Sequence, residues 1–185
     1  PSARVPLSAM RTRLVEVDDA PALMNIYNPE VLEMSVSFDL VTRTLADQEA
    51  WIRTHLATHP CIVAVNEEDN LGEPGARGEL VLGFAVVSPF RSRPAYASSV
   101  ENSVYVLRSA RGRGVGERLL RELIKTAQES GFHTLIARIV GENEGSIRLH
   151  EKCDFKLVGT EIEIGRKYGR WLDVVEYQYV VPDRH

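Results

Sequence analysis

"VYVLRSARGRGVGERLLREL" (residues 104–123) passes from β-branched and aromatic residues, through a loop of glycines and arginines, into an amphipathic helix. In the helical part Val115, Leu119, Leu120, Leu123, Ile124 and Ala127 recur at helical spacing, with Glu117, Arg118, Arg121, Glu122 and Lys125 on the other side. One face therefore packs on a sheet. Residues 100–107 before the loop and 133–140 after the helix have strand composition, so the unit reads as βαβ with a right-handed crossover. The loop then lies at the carboxyl end of a strand and the positive end of a helix. Gly112, Gly114 and Gly116 permit close backbone approach, so several N–H groups can converge on one anion, and phosphate is the natural guest. The two common nucleotide loops do not fit. Glu117 stands where a dinucleotide fingerprint needs its third glycine, and Gly116 is followed by Glu117 where a Walker loop needs lysine.

Outward from this unit the element types alternate. Residues 13–17 read as a strand. Asp18 or Asp19 can cap a helix through Tyr27 with Pro21 in its first turn, and Thr44 with Asp47 resembles a capping box for a second helix ending before Pro60. CIVAV (61–65) and ELVLGFAVVS (79–88) read as a β-hairpin with a long, polar, mobile tip. A short helix is expected from about Gly145 to Lys152, and KLVGTEIEI (156–164) and WLDVVEYQYVV (171–181) supply two terminal strands.

The chain has 185 residues, 44% of them hydrophobic, which suits one domain over residues 1–185 with an ordered core of about 11–182. With no run of eighteen apolar residues and no signal-peptide pattern at its start, a cytoplasmic, non-membrane protein is expected. Cys61 and Cys153 stand far apart, without metal-ligand spacing, so neither a disulfide framework nor a metal site is expected. A net charge of −4 argues against a nucleic-acid partner, while leaving room for a local basic pocket.

Arg111-x-x-Gly114-x-Gly116 resembles the coenzyme A pyrophosphate loop, R/Q-x-x-G-x-G/A, of the GNAT superfamily of N-acetyltransferases. "ENEGSIRLHEKCDF" (142–155) looks like that superfamily's next motif. "IYNPEVLEMSVSFD" (26–39), "VENSVYV" (100–106) and "KYGRWLDVVEYQ" (167–178) narrow the resemblance to the phosphinothricin acetyltransferase family, over nearly the whole chain. Two positions depart from the pattern. Asp154 replaces a glycine at a turn, and Pro29-Glu30 replaces the usual polar or aromatic pair, a change that can alter the acceptor pocket.

The resemblance implies an α/β (α+β) fold with a mixed, mostly antiparallel central sheet, a splayed pair of parallel strands and flanking helices. It implies acetyl-CoA as cosubstrate, a small-molecule amine acceptor and a homodimer. Val104, Tyr105 and Val106 would pair with the pantetheine arm, Arg111, Gly112, Arg113, Gly114, Val115 and Gly116 would hold the pyrophosphate, and Asn143 and Ser146 would touch the coenzyme from the other side. Glu101 is the expected general base. His150 is either the acid that protonates the leaving thiolate, an orienting group, or a packed helix histidine. Phe38, Phe90, Tyr96 and Trp171 are candidates to line the acceptor pocket. Arg91, with Arg93, Lys167 and Arg170, could meet an anionic acceptor. The implied activity is acetylation of the α-amine of an amino-acid-like acceptor such as phosphinothricin or methionine sulfoximine. Peptide N-terminal or polyamine acetylation and a non-catalytic acyl-CoA sensor are the alternatives.

Overall fold

The computed structural model describes residues 10–66 and 71–182; part of the hairpin tip expected to be mobile, 67–70, lies outside the described residues. The chain runs β1 (Met10–Leu14), α1 (Ala20–Glu33), α2 (Leu45–Leu56), β2 (Cys61–Asn66), β3 (Glu73–Pro74), β4 (Leu80–Pro89) and β5 (Ser99–Val106). It continues with α3 (Val115–Glu129), β6 (Thr134–Val140), α4 (Glu144–Lys152), β7 (Lys156–Lys167) and β8 (Arg170–Val180). The strands form one sheet in the order β1-β2-β4-β5-β6-β8-β7, with β3 attached to β4. Every neighbouring pair is antiparallel except β5–β6. This is the mixed, mostly antiparallel sheet with one parallel pair that the motifs imply. Among the described residues no helix is long and apolar enough to cross a membrane.

The pleat divides the apolar residues between two cores. On one face Val115, Leu119, Leu120, Leu123 and Ala127 of α3 pack on Leu82, Val87, Val100, Leu135 and Ala137 of the sheet. On the other, Leu23, Ile26, Tyr27 and Ile52 of α1 and α2 cover Val63, Val65, Phe84 and Val86. Both cysteines are buried and free.

The first strand and first helix end at other points than the sequence reading expects, and β7 runs on to Lys167. The first strand ends at Leu14 because Glu16 N–H donates to the Asp19 carboxylate at 2.8 Å and turns the chain into a short 3-10 segment, Val17–Asp19. Asp19 is fully buried, and it also accepts from Arg13 and from Ala76 N–H, which fixes the entry to α1. The helix α1 does not stop at Tyr27. It continues through Pro29 to Glu33, since Glu30 and Val31 are buried and Arg108 Nη2 donates to the Pro29 carbonyl at 3.2 Å. The box at the start of α2 forms as expected, with Asp47 N–H on Thr44 Oγ1 and Thr44 N–H on Asp47 Oδ2.

The last two strands reverse through Tyr168 and Gly169, whose φ values of 51° and 73° are those of a two-residue hairpin turn with both centres left-handed. β7 is the edge of the sheet, and Leu157, Ile162 and Ile164 on it are exposed.

Candidate functional site

The parallel pairing of β5 and β6 covers only three registers, Ser99↔Thr134, Val100↔Leu135 and Glu101↔Ile136, although β5 runs on to Val106 and β6 to Val140. Each strand is held on its outer side. β5 stays paired with β4 as far as Gly83↔Val106, and β6 stays with β8 as far as Val140↔Val174. The two therefore diverge and leave a split in the sheet.

Hydrogen-bond parity determines what β5 presents to that split. Leu107 N–H donates to Leu82 O at 2.9 Å, so by antiparallel alternation the odd residues 101, 103 and 105 spend their backbone groups on β4. The even residues 102, 104 and 106 turn theirs toward β6. The alternation agrees with Pro89, which has no N–H and stands opposite Val100 in a pair that exchanges no bonds. It agrees also with Ser98 O, which accepts from His133 N–H. Beyond Glu101, then, Val104 and Val106 offer an open extended edge.

On the α3 side this edge borders a cavity of about 540 Å³. Its wall contains Val104, Tyr105, Val106, Arg111, Gly112, Gly114, Val115, Gly116, Asn143, Ser146 and His150, all singled out from the sequence; Arg113 is not part of it. Gly112 (φ 73°) and Gly114 (φ 88°) both have left-handed backbone, and Gly114 is the N-cap of α3 without a side-chain cap. The first intrahelical bond is Arg118 N–H to Gly114 O at 3.0 Å, so the amides just before Arg118 have no intrahelical acceptor and face outward. A left-handed glycine turn feeding a fifteen-residue helix suits a diphosphate, and the open strand edge beside it suits an amide chain.

Arg111 is more constrained than the motif suggests. Its Nη2 pairs with Glu30 Oε1 at 2.8 Å and its Nε donates to Val106 O at 3.2 Å. Glu30 also accepts from Arg108 Nε at 2.9 Å, and its side chain is 4% exposed. Of the Pro29-Glu30 departure, Glu30 thus lies on the wall of this cavity. The two arginines balance the Glu30 charge. Asn143 is partly spent as well, since its Oδ1 caps α4 by accepting from Ser146 N–H at 3.2 Å.

His150 is buried, and burial lowers its pKa. Its Nδ1 lies 2.8 Å from the Ser146 carbonyl, which can only accept, so the ring proton sits on Nδ1. Nε2 then accepts from Asn102 Nδ2 at 2.9 Å. Both ring nitrogens of the neutral imidazole have partners within the fold, and neither directs a proton into the cavity. Asn102 Oδ1 is buried without a hydrogen-bond partner among the described residues.

The opposite face of β5 carries Glu101, Ser103 and Tyr105 into a second cavity of about 310 Å³. The two cavities share Val36, Ser103, Tyr105, Arg138 and Val140, so they meet at the split. Burial raises the pKa of the Glu101 carboxyl; Arg138 opposes the rise, and Glu176 and Glu161 add to it. The remaining wall includes Tyr27, Ser37, Phe38, Asp39, Arg43 and Trp51. Arg43 lies 4.5 Å from the Tyr27 ring and 4.8 Å from Trp51.

Of the residues suggested for an acceptor, the structure brings only Phe38 to this wall. Phe90, Arg91 and Tyr96 pack on one another in the loop after β4, with the two rings 5.7 Å apart and Arg91 4.8 Å above Phe90. Trp171 is 57% exposed beside Arg166, Arg170 pairs with Glu142, and Lys167 donates to Ser37 O. Neither Arg93 nor any of these lines either cavity. Tyr27, Arg43, Trp51 and Arg138 were missed. Arg138 carried a readable signal, a lone charge inside the apolar strand TLIARIV.

Comparison with known proteins points to one family. Residues 21–155 match the model of the acetyltransferase (GNAT) family. The phosphinothricin N-acetyltransferase of Streptomyces coelicolor is 37% identical over 161 residues, 87% of this chain and 90% of that protein. An L-methionine sulfoximine/L-methionine sulfone acetyltransferase of Pseudomonas aeruginosa is 35% identical over 88% of this chain and 89% of its own. The crystal structure of a GNAT superfamily phosphinothricin acetyltransferase from Sinorhizobium meliloti in complex with acetyl-CoA superposes with a TM-score of 0.83 at 32% identity, covering 94% of this chain and 89% of that one.

The Glu101 environment makes a stability prediction. A carboxyl whose pKa is higher folded than unfolded binds its proton more tightly in the native state, so stability falls as pH rises from the ordinary value of 4.5 toward the raised one. Glu101→Gln does not ionise and should melt at a higher temperature than the wild type above that window, with the difference vanishing below it. A melting-temperature series against pH showing no such divergence would contradict the desolvated placement of Glu101.

Proposed function

The chain belongs to the acetyltransferase (GNAT) family and is an acetyl-CoA-dependent N-acetyltransferase; from that premise we propose that it acetylates the α-amine of a small amino-acid-like acceptor such as phosphinothricin or methionine sulfoximine. The observation that carries the proposal is the meeting of two cavities at the β5–β6 split, with the glycine loop on one side and the Glu101 carboxyl on the other. The cavity beside Glu101 is compact, about 310 Å³, and contains both Arg43 and Arg138. A polyamine or peptide terminus would call for an open acidic groove, whereas paired cations and carboxylates suit a small zwitterion.

Acetyl-CoA supplies an acyl carbon already activated as a thioester. The outward amides at Val115–Glu117 and the guanidinium of Arg111 hold the diphosphate, and the backbone of Val104 and Val106 takes the amide arm as an added strand. Val104 N–H, turned toward the split, stabilises the negative charge that develops on the carbonyl oxygen as the amine nitrogen attacks. Glu101, on the acceptor side of the same strand, takes the ammonium proton directly or through one water. The carbon–sulfur bond breaks, and the departing thiolate takes a proton from solvent or the acceptor. In this account His150 holds Asn102, and with it the start of the open edge, instead of acting as the acid.

Thiol-release kinetics with acetyl-CoA and a panel of amino acids, phosphinothricin, methionine sulfoximine and a polyamine tests the acceptor class. The amino-acid-like compounds should be turned over and the polyamine should not. In Glu101→Gln, turnover should fall by about 10²- to 10⁴-fold with acetyl-CoA affinity nearly unchanged. Near-normal turnover in that variant would remove Glu101 from the proton transfer.

We also propose that the protein is a homodimer joined through its C-terminal strands. Leu157, Val158, Ile162 and Ile164 on the edge strand β7, with Trp171 beside them, are exposed apolar residues on an unpaired edge. Sedimentation should give a dimer mass, and Ile162→Lys should shift it toward monomer; a monomer at all concentrations would refute the assignment.

A further inference from the structure

We propose that Lys167, at the turn of the β7–β8 hairpin, is a positioning residue for the acceptor, acting by gripping the loop of residues 34–44 that walls the cavity beside Glu101. The inference rests on reading that cavity as the acceptor site.

Lys167 is only 4% exposed, and its Nζ donates to the Ser37 carbonyl at 2.6 Å. Among the described residues no carboxylate forms a salt bridge with it. The ammonium instead lies 5.3 Å from the Tyr168 ring centre and feels the charge of Asp39. Burying an ammonium without an ion-pair partner is costly, and a methionine of similar length would fill the same space. The amine therefore contributes its grip on Ser37, which an apolar side chain cannot replace.

Ser37 is the centre of the cavity's loop wall. Its Oγ lies 2.9 Å from Tyr27 OH and accepts from Asp39 N–H at 3.2 Å, and Tyr27 OH also donates to the Asp39 carboxylate. The segment Ser37–Asp39 is thereby folded around one phenol, and all three residues face the cavity. The same hairpin makes two more contacts to this region. Tyr168 OH donates to Val31 O at 3.0 Å, on the last turn of α1. Gly165 lies under the Phe38 ring, where an added Cβ would come within 2.3 Å of Cε2. None of the turn residues lines the larger cavity. Ser37, which Lys167 grips, lines the cavity beside Glu101 together with Phe38 and Asp39 and does not line the larger one, to which the loop gives only Met34 and the shared Val36.

Two measurements on Lys167→Met and Lys167→Arg test this. Hydrogen exchange of the 37–43 amides should quicken about tenfold or more in Lys167→Met, as expected for losing a buried charged hydrogen bond, while β5 and α3 are unaffected. In steady-state kinetics with methionine sulfoximine, the acceptor KM should rise by about tenfold, the acetyl-CoA dissociation constant should stay within about twofold, and Lys167→Arg should recover part of the loss. Unchanged exchange overturns the grip. Faster exchange with a wild-type acceptor KM, or a coenzyme affinity that weakens in step with it, overturns the positioning role and leaves a merely structural lysine. If the wild type acetylates no amine in the panel, the acceptor reading fails on its own account, and the exchange data still decide whether Lys167 holds the loop.

Discussion

The parallel pairing between β5 and β6 ends after Glu101 and Ile136, and the rest of the site depends on that ending. A strand buried in a sheet normally spends its backbone groups on both neighbours. Here β4 takes one edge of β5 up to Val106, while β8 draws β6 away, so the inner edge of β5 beyond Glu101 keeps its polar groups apart from the Val106 carbonyl, which accepts from Arg111 Nε. Such an edge would be a liability on the outside of a protein. In the interior of this one it borders the larger cavity, bounded by the glycine loop at its carboxyl end, and is the edge we propose as the template for the coenzyme's amide arm.

Side-chain alternation on that strand separates two tasks. Asn102, Val104 and Val106 belong to the α3 face, and Glu101, Ser103 and Tyr105 to the face covered by α1 and α2. A one-residue slip of β5 against β4 would exchange the faces, sending the carboxyl of Glu101 to the coenzyme side and the backbone of Val104 back to β4. The register is held by the apolar residues of two separate cores and by Pro89, which fits only where no bond is exchanged. The placement of Glu101 and of the open edge follows from sheet packing, and the loops supply walls of the two cavities.

Much of this was legible in the sequence because it rests on local patterns. The βαβ unit, the glycine loop and the α3 face followed from periodicity and spacing, and the residues read as coenzyme contacts, Arg113 apart, do share one cavity. The wall of the smaller cavity, the proposed acceptor site, was not legible in that way. It is assembled from α1, the 34–44 loop, α2 and four strands, and no spacing rule links Tyr27, Arg43 and Arg138. The aromatic residues near the motifs stand elsewhere: Phe90 packs on Tyr96, and Trp171 lies beside Arg166. The role of Glu30 was hidden for the same reason: its partners Arg108 and Arg111 are about eighty positions away in the chain.

The central claim is that the even-numbered backbone of β5 beyond Glu101 receives the arm of acetyl-CoA. Amide exchange along β5, measured residue by residue with and without acetyl-CoA, tests it most directly. Val104 and Val106 N–H should exchange readily in the free protein and become protected by the coenzyme. Ser103 and Tyr105, already bonded to β4, should change little. Equal protection of odd and even residues, or none at Val104 and Val106, would contradict the account.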